Sequence, residues 1–225
     1  MIRLHAVVEG QTEETFVNTV LAPELGSRNI FMDTHCITTG REDTRMYRGG
    51  LNKYRQLKRD LTRWMKQDQQ PDAWFTTMLD LYALPGDFPG VGDCASRSSP
   101  AEHVDCLEAR LIQDLDHRRF IPYIQLHEFE ALLFSDVSQF AVEFPGNVSV
   151  IQQLARIRAK VSSPEDIDDS PIGAPSKRIL EILSDDYEKT LAGPAIAKRI
   201  GLPTLRRECP QFNQWIEKIE EAAAR

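Results

Sequence analysis

An acidic segment follows the first apolar run of the chain. Ile2–Val8 has the composition of a buried strand and ends at Glu9 and Gly10. Glu13 lies four residues after Glu9, in the first turn of a helix that the sequence predicts from Thr12 onward. A carboxylate at the carboxyl end of a strand, with a second one in the next helical turn, suits Mg²⁺ or Mn²⁺ and the phosphate that such a cation carries.

Two more acids occupy equivalent places later in the chain. Asp80 ends the apolar segment Ala73–Leu79, and Glu128 follows a strand predicted over Pro122–Leu126. Because ligands of parallel α/β sheets bind beyond the carboxyl ends of the strands, we expect Glu9, Asp80 and Glu128 to converge. Such carboxylates hold a divalent cation beside a substrate phosphate, and one that binds no cation can serve as general base.

Each of these residues also has a structural interpretation. Glu13 can complement the positive end of a helix dipole, and Asp80 can simply open a loop. Glu9 has no evident structural duty before a glycine. Burying Glu128 in its apolar stretch is costly without a partner, and the neighbouring His127 is either a hydrogen-bonded core histidine or part of the site.

Several common chemistries lack their motifs. Residues 127–130 read HEFE and lack the second histidine of the zinc-peptidase motif. The chain contains no GxxxxGK[ST] loop, no GxGxxG turn and no GxSxG elbow. Zinc proteolysis, nucleotide binding by these loops and serine hydrolysis are therefore disfavoured.

Predicted strands and helices alternate through the first part of the chain. Strands are predicted over Ile2–Val8, Ile30–Thr38, Ala73–Leu79 and Pro122–Leu126, and helices over Thr12–Ser27, Leu51–Gln69 and Pro100–Asp116. This alternation predicts an α/β fold with a mainly parallel sheet of about four strands flanked by helices. Residues 39–50 and 82–99 read as loops. Short helices after Asp136 predict two units, an α/β domain over 1–136 and a helical subdomain over 137–225 packed on it.

A basic segment offers a surface for phosphates. Residues 41–66 contain nine Lys or Arg against three acids, although the whole chain has a net charge of −7. The candidate nucleic-acid contacts are Arg41, Arg45, Arg48, Lys53, Arg55, Lys58 and Arg59. The alternative is a solvated helix face. Ser176, Lys177 and Arg178 begin a later helix, which is either a second phosphate site or a capped surface helix.

Chain length, apolar runs and cysteine spacing narrow the class of protein further. The chain of 225 residues has no apolar run of the roughly 20 residues that a membrane span needs, and its first residues do not resemble a signal peptide. Four cysteines lie apart without CxxC or zinc-ligand spacing. We therefore expect a cytoplasmic protein with reduced cysteines and no structural zinc.

Five segments of the chain stand out together: VVEGQTEETF (7–16), MLDLYALPGDFPG (78–90), YIQLHEFEALLFSD (123–136), APSKRI (174–179) and IGLPTLRRECPQFNQWI (200–216). They resemble a bacterial Toprim-like family, that of the domain of unknown function 4276, distantly related to the Toprim nuclease domains of OLD (overcoming lysogenisation defect) proteins. The resemblance covers nearly the whole chain. It implies a Toprim fold, similar to a Rossmann fold.

The resemblance also assigns roles at the predicted site. The Toprim pattern has a glutamate after the first strand and Asp-x-Asp after the third. Glu9 matches the glutamate, Asp80 matches the first aspartate, and Glu13 matches an additional acid of OLD-type domains. Tyr82 stands where the second aspartate belongs. Lys177 is a loose match to a lysine near the scissile phosphate.

The replacement of that aspartate leaves three alternatives. Asp87, Glu128 or Glu130 supplies the missing ligand, or the site binds one cation, or catalysis has been lost. The first two imply a Mg²⁺- or Mn²⁺-dependent nuclease acting on DNA or RNA, and the resemblance adds an ATPase partner in phage defence. The last implies a catalytically silent module that binds an ATPase or nucleic acid.

Overall fold

The computed structural model describes residues 1–42, 45–48, 51–167, 173–184 and 187–225, and of residues 38–42 and 45–48 the backbone only. The strands are β1 (Ile2–Val8), β2 (Ile30–Cys36), β3 (Thr38–Glu42), β4 (Arg45–Arg48), β5 (Ala73–Asp80), β6 (Phe120–Ile121) and β7 (Ile124–Gln125). The main sheet has the order β2-β1-β5-β6, with β7 also paired to β5, and its strand pairs are parallel. The predicted α/β fold with a mainly parallel sheet is confirmed.

Helices cover both faces of this sheet. The α-helices are α1 (Gln11–Phe16), α2 (Ala22–Gly26), α3 (Tyr54–Gln67), α4 (Val91–Cys94), α5 (Pro100–Leu115), α6 (Phe140–Glu143), α7 (Val148–Arg158), α8 (Pro175–Leu183), α9 (Lys189–Ile200), α10 (Leu202–Glu208) and α11 (Pro210–Ala223). A π-helical turn, Val17–Leu21, joins α1 to α2, and 3₁₀ helices occupy Leu81–Ala83, Phe129–Gln139 and Pro164–Asp166.

The alternation of side chains along β1 divides the core into two layers. Leu4, Ala6 and Val8 join a buried cluster with α1 and the C-terminal helices, whereas Val7 joins a second cluster with α3 and α5. Trp215 of α11 is buried in the first layer, where its indole Nε1 donates to Thr76 Oγ1 of β5 at 2.8 Å. The helices after Asp136 thus share a core with the sheet, while the proposed boundary at 136/137 stays a prediction.

Two sequence predictions need correction. The fourth strand is not continuous over Pro122–Leu126, because Pro122 has no N–H for the ladder and separates β6 from β7. Next to it, the Tyr123 N–H donates to the side-chain oxygen of Thr77 at 3.0 Å. Residues 39–50 do not form a simple loop, since β3 and β4 pair antiparallel. A two-stranded ribbon needs no apolar alternation, so the sequence showed no strand signal there.

The expectation of four reduced cysteines is also wrong. Cys94 of α4 and Cys106 of α5 form a disulfide, whereas Cys36 and Cys209 are buried thiols. The chain between α4 and α5 folds back and brings the two Cα atoms to 5.7 Å, a proximity that a separation of 12 residues does not reveal. In the part of the chain that the structure describes, helices are too short or too polar to cross a membrane.

Candidate functional site

The chain reverses its direction of travel across the sheet at β1. From β1 it passes through α1 and α2 to β2 on one side, and then through α3 to β5 on the other side. Parallel sheets bind ligands at such a switch point, beyond the carboxyl ends of the strands. Glu9 follows β1 directly and Asp80 ends β5, so both residues lie at this switch point. The Asp80 N–H donates to Glu9 Oε2 at 3.3 Å.

Glu13 points back toward the beginning of its own helix. Its Oε2 accepts a hydrogen bond from the Gly10 N–H at 2.9 Å, which satisfies a backbone donor at the start of α1. This contact is compatible with a structural role for Glu13, while its role as a cation ligand stays a prediction. The side chain is nevertheless only 6% exposed, which is unusual for a residue whose duty is to cap a helix.

Hydrogen bonds connect Asp80 and Glu128 to the C-terminal part of the site. Asp80 Oδ1 accepts from the Phe129 N–H at 3.0 Å, and Glu128 Oε2 accepts from the Ser176 N–H at 3.0 Å. Ser176 lies in the first turn of α8 and is buried. The Ser176 backbone amide, one of the predicted candidate contacts for a phosphate, therefore donates to the Glu128 carboxylate.

Glu130 and Lys189 form an ion pair that the sequence analysis did not predict. Lys189 Nζ of α9 lies 3.3 Å from Glu130 Oε1, and Glu130 is only 3% exposed. Nearby, the buried Tyr187 hydroxyl has no hydrogen-bond partner among the described residues. The two residues are 59 positions apart, and no local pattern in the sequence links them. Only the folded structure shows that the lysine lies beside a buried acid.

We call Glu9, Glu13, Asp80, Glu128 and Glu130 the acidic cluster. Burial, followed by repulsion from Glu13 and Glu9, raises the pKa of Asp80 well above its ordinary value. Burial and the charge of Glu9 raise the pKa of Glu13 to about 7. Burial also raises the pKa of Glu9 and of Glu130, although Lys189 acts in the opposite direction on both. The cluster therefore carries repulsion that one lysine only partly offsets.

Tyr82 occupies the position of the absent aspartate without supplying an acid. Its hydroxyl lies 2.8 Å from His127 Nδ1, and its N–H donates to the His127 carbonyl at 3.3 Å. His127 is buried, with a φ of 63°. Of its two interpretations, the structure thus supports a hydrogen-bonded core histidine. Asp87, a proposed substitute ligand, accepts from the Tyr54 N–H at 2.9 Å at the start of α3.

Three of the seven predicted phosphate contacts, Arg55, Lys58 and Arg59, lie on α3, and Lys53 precedes it. Lys53 and Arg55 are exposed, while Lys58 pairs with Asp114 and Arg59 with Asp60, each at 2.9 Å. A surface pocket of about 590 Å³ is lined by Arg55, Lys58, Arg59, Thr62, Arg63, Lys66 and Gln67. The side chains of Arg41, Arg45 and Arg48 lie outside the described part. Lys177 is exposed on α8, and its role stays a prediction.

The donor atoms of the acidic cluster suit a hard divalent cation, since Mg²⁺ and Mn²⁺ bind carboxylate oxygens. Positive charge would also relieve the repulsion that raises the pKa values of Glu9, Glu13 and Asp80. Within the described ranges, however, no three His, Cys, Asp or Glu side chains are grouped closely enough to hold a metal ion. One oxygen of each of Glu9, Glu13, Asp80 and Glu128 binds a backbone amide instead.

The fold and the site define a parallel α/β protein with buried and half-buried acids at its switch point. The chain belongs to the family described as "Domain of unknown function (DUF4276)", whose model matches residues 8–220. No curated protein matches the sequence.

Structures of the C-terminal region of the Xanthomonas campestris pv. campestris OLD protein are similar to the chain. The platinum-phased structure shares 16% identity, with 99% of this chain and 94% of that chain covered and a TM-score of 0.48. The iodine-phased structure also shares 16% identity, with 100% and 97% covered and a TM-score of 0.45.

Proposed function

We propose that this protein is a Mg²⁺- or Mn²⁺-dependent phosphodiesterase that acts on DNA or RNA. The observation that carries the proposal is the acidic cluster, in which buried and half-buried carboxylates repel one another beside one lysine at the switch point of the sheet. Buried acids that are not compensated by the protein are typical of functional sites. An ATPase partner and a place in phage defence are proposed from the sequence resemblance alone.

Glu9, Glu13, Asp80 and Glu128 would hold the cation. When bound, a divalent cation polarises a phosphoryl oxygen and lowers the pKa of water. Glu130, paired with Lys189, keeps that lysine at the edge of the cluster. There the ammonium can meet a phosphate, so Lys189 is a second candidate, beside Lys177, for the lysine near the scissile phosphate.

The exposed cations of α3 would bind the nucleic-acid backbone. Arg55, Arg63 and Lys66 line the same surface pocket, and each side chain is exposed. Contacts of this type release counterions, so binding weakens as salt rises. They position the backbone without reading its sequence.

The test is cleavage of labelled single- and double-stranded DNA and RNA by the purified protein with Mg²⁺, Mn²⁺ or a chelator. We expect cleavage only with a cation, and its loss in Glu9→Gln, which keeps an oxygen for the Asp80 N–H. Glu24→Gln, on the exposed surface of α2, is the matched control and should cleave normally. Intact nucleic acid under every condition, or an active Glu9→Gln, would contradict the proposal.

A second candidate is a catalytically silent module that binds an ATPase or nucleic acid. Two observations favour it: Tyr82 is hydrogen-bonded to His127 where an acid is expected, and the described acids do not form a ready cation site. This candidate predicts salt-dependent binding of nucleic acid that Arg55→Ala weakens, without cleavage under any metal. Cleavage that depends on Glu9 would refute it.

A further inference from the structure

The disulfide between Cys94 and Cys106 attaches a long connecting segment to the body of the protein. Cys94 ends α4 within residues 81–99, the segment that leaves the acidic cluster after Asp80. Cys106 lies in α5, which packs in the second core layer. The bond therefore connects the segment that carries Tyr82 to a helix that is fixed against the sheet.

The two sulfur atoms differ in their access to solvent. Cys94 is fully buried, whereas Cys106 is partly exposed and lines a surface pocket of about 570 Å³. Arg97 also lines this pocket, and its Nη2 lies 3.5 Å from Cys106 Sγ. A thiol that enters the pocket thus reaches one sulfur only, and a guanidinium is placed to stabilise a thiolate there.

We propose that Cys94–Cys106 is a thiol–disulfide exchange site, opened at Cys106 Sγ by a small thiol such as glutathione. A thiolate attacks Cys106 Sγ and forms a mixed disulfide, while the electron pair of the broken S–S bond leaves on Cys94, which takes a proton from solvent. A second thiolate attacks the reagent sulfur of the mixed disulfide and releases Cys106 as a thiolate beside Arg97. Two thiols are oxidised to one disulfide, and the protein gains two electrons.

Reduction would loosen residues 84–99 without unfolding the core. Apart from the disulfide, the contacts of this segment include packing of the buried Phe88, Asp87 on the Tyr54 N–H, hydrogen bonds from Ser98 to Glu102, and an ion pair of 3.3 Å between Asp93 and Arg110. These noncovalent contacts can open locally at low cost, whereas the covalent bond cannot. The site is independent of the phosphodiesterase proposal, because it needs neither a cation nor a phosphate.

The test is to treat the native protein with reduced glutathione, trap the thiols with iodoacetamide at intervals and locate each modification by peptide mass. We expect a glutathione adduct on Cys106 and then alkylation of both Cys94 and Cys106. The buried thiols of Cys36 and Cys209 are internal controls and should remain unmodified. A disulfide that resists glutathione until denaturant is added would overturn the proposal. Adducts on Cys94 alone, or labelling of all four cysteines together, would overturn it as well.

Hydrogen exchange tests the consequence in the same samples. After reduction we expect amides within 84–99 to exchange about tenfold faster or more, while those of β1 and β5 keep their rates. The Cys94→Ser/Cys106→Ser double variant should reproduce the faster exchange without reductant. Equal protection of 84–99 in the oxidised and reduced wild-type protein would show that the bond does not control this segment.

Discussion

The two ends of β1 carry polar clusters that are built in opposite ways. At its carboxyl end lies the acidic cluster, with Lys189 as its cation. Toward its amino end, cations and acids alternate, and we call this group the compensated cluster. Its members are Arg3, His5, Asp33, Asp68 and Asp72. Both clusters depend on side chains from several elements, so packing alone does not distinguish them.

Their electrostatics differ in sign. Hydrogen bonds from Arg3 lower the pKa of Asp68 to about 2, and Arg3 also lowers the pKa of Asp72. In the acidic cluster, burial raises the pKa of Glu13 to about 7. The compensated cluster therefore stabilises the fold through its charges, whereas the ionised acidic cluster destabilises it. Electrostatic repulsion of this kind is typically retained in a folded protein where the charged groups bind a ligand.

The largest effect should come from Glu13→Gln in a chelating buffer. The pKa of Glu13 is about 7 in the folded protein. Folding therefore becomes less favourable as the pH rises from the pKa that Glu13 has in the unfolded chain toward 7. Removing the charge should therefore raise the free energy of unfolding by about 3 kcal/mol at about pH 8, and by almost nothing below about pH 4. Urea unfolding at both pH values measures the difference.

Glu14→Gln is the matched control, since Glu14 is the next residue of α1 and is less buried than Glu13. It should change stability at about pH 8 by less than about 0.5 kcal/mol. A destabilised Glu13→Gln at that pH would mean that the acidic cluster is compensated after all, and the contrast with the compensated cluster would disappear.

A bound divalent cation should offset the repulsion among the carboxylates of the acidic cluster and so stabilise the fold. At a Mn²⁺ concentration about 100 times its dissociation constant, the free energy of unfolding should rise by about 2.7 kcal/mol. Glu9→Gln should lose this gain, whereas Asp68→Asn in the compensated cluster should keep it. Calorimetric titration with Mn²⁺ measures the dissociation constant, and thermal unfolding with and without Mn²⁺ measures the gain in stability. An equal gain in wild type and Glu9→Gln would place the cation elsewhere.

Asp68→Asn should have the opposite sign to Glu13→Gln and a smaller size. The lowered pKa of Asp68 means that its carboxylate stabilises the fold above the unfolded pKa, and that this stabilisation is lost as pH falls toward about 2. Because Arg3 is 38% exposed, solvent screens the pair, and we expect a loss of about 1–2 kcal/mol near neutral pH. Denaturation at about pH 7 in low and high salt measures this loss, which salt should reduce. A neutral or stabilising substitution would contradict the assignment.

The sequence predicted the acidic cluster better than the compensated one, for a physical reason. Glu9 and Asp80 stand at strand ends, and the geometry of parallel sheets brings strand ends to one edge. Asp33 and Asp68 have no such rule to place them. They meet His5 only because β2 pairs with β1 in register, with His5 opposite Asp33, and because α3 ends beside β1.

The residues that sequence reasoning missed depend on tertiary packing. Lys189 reaches Glu130 because α9 packs on the 3₁₀ segment Phe129–Gln139. Cys94 reaches Cys106 because residues 95–99 fold back between two helices. The spacing of apolar residues along the chain predicts neither the Lys189–Glu130 pair nor the disulfide. It did locate β1, β5, α3 and α5 to within a few residues, since the two strands carry apolar residues on both faces and the two helices bury one apolar face each.

The smallest predicted effect concerns His5, which joins the two acids of the compensated cluster. Burial acts to lower its pKa, but hydrogen bonds to Asp33 and Asp68 outweigh burial and raise it. A raised pKa means that His5 stabilises the fold below its unfolded pKa of about 6.5 and loses this contribution as pH rises through the folded value. Stability should therefore fall between about pH 6 and pH 8 more steeply in the wild-type protein than in His5→Gln.

His35→Gln is the control for this measurement, because His35 lies on β2 outside the compensated cluster and its side chain is 46% exposed. The difference in slope that His5 makes should persist in the His35→Gln variant. Since the pKa of Glu13 is about 7 and lies within this range, both substitutions are best compared in the Glu13→Gln background, where the remaining slope reports on His5. Equal slopes with and without His5 would mean that Asp33 and Asp68 hold a neutral imidazole, and the compensated cluster would then owe its balance to Arg3 alone.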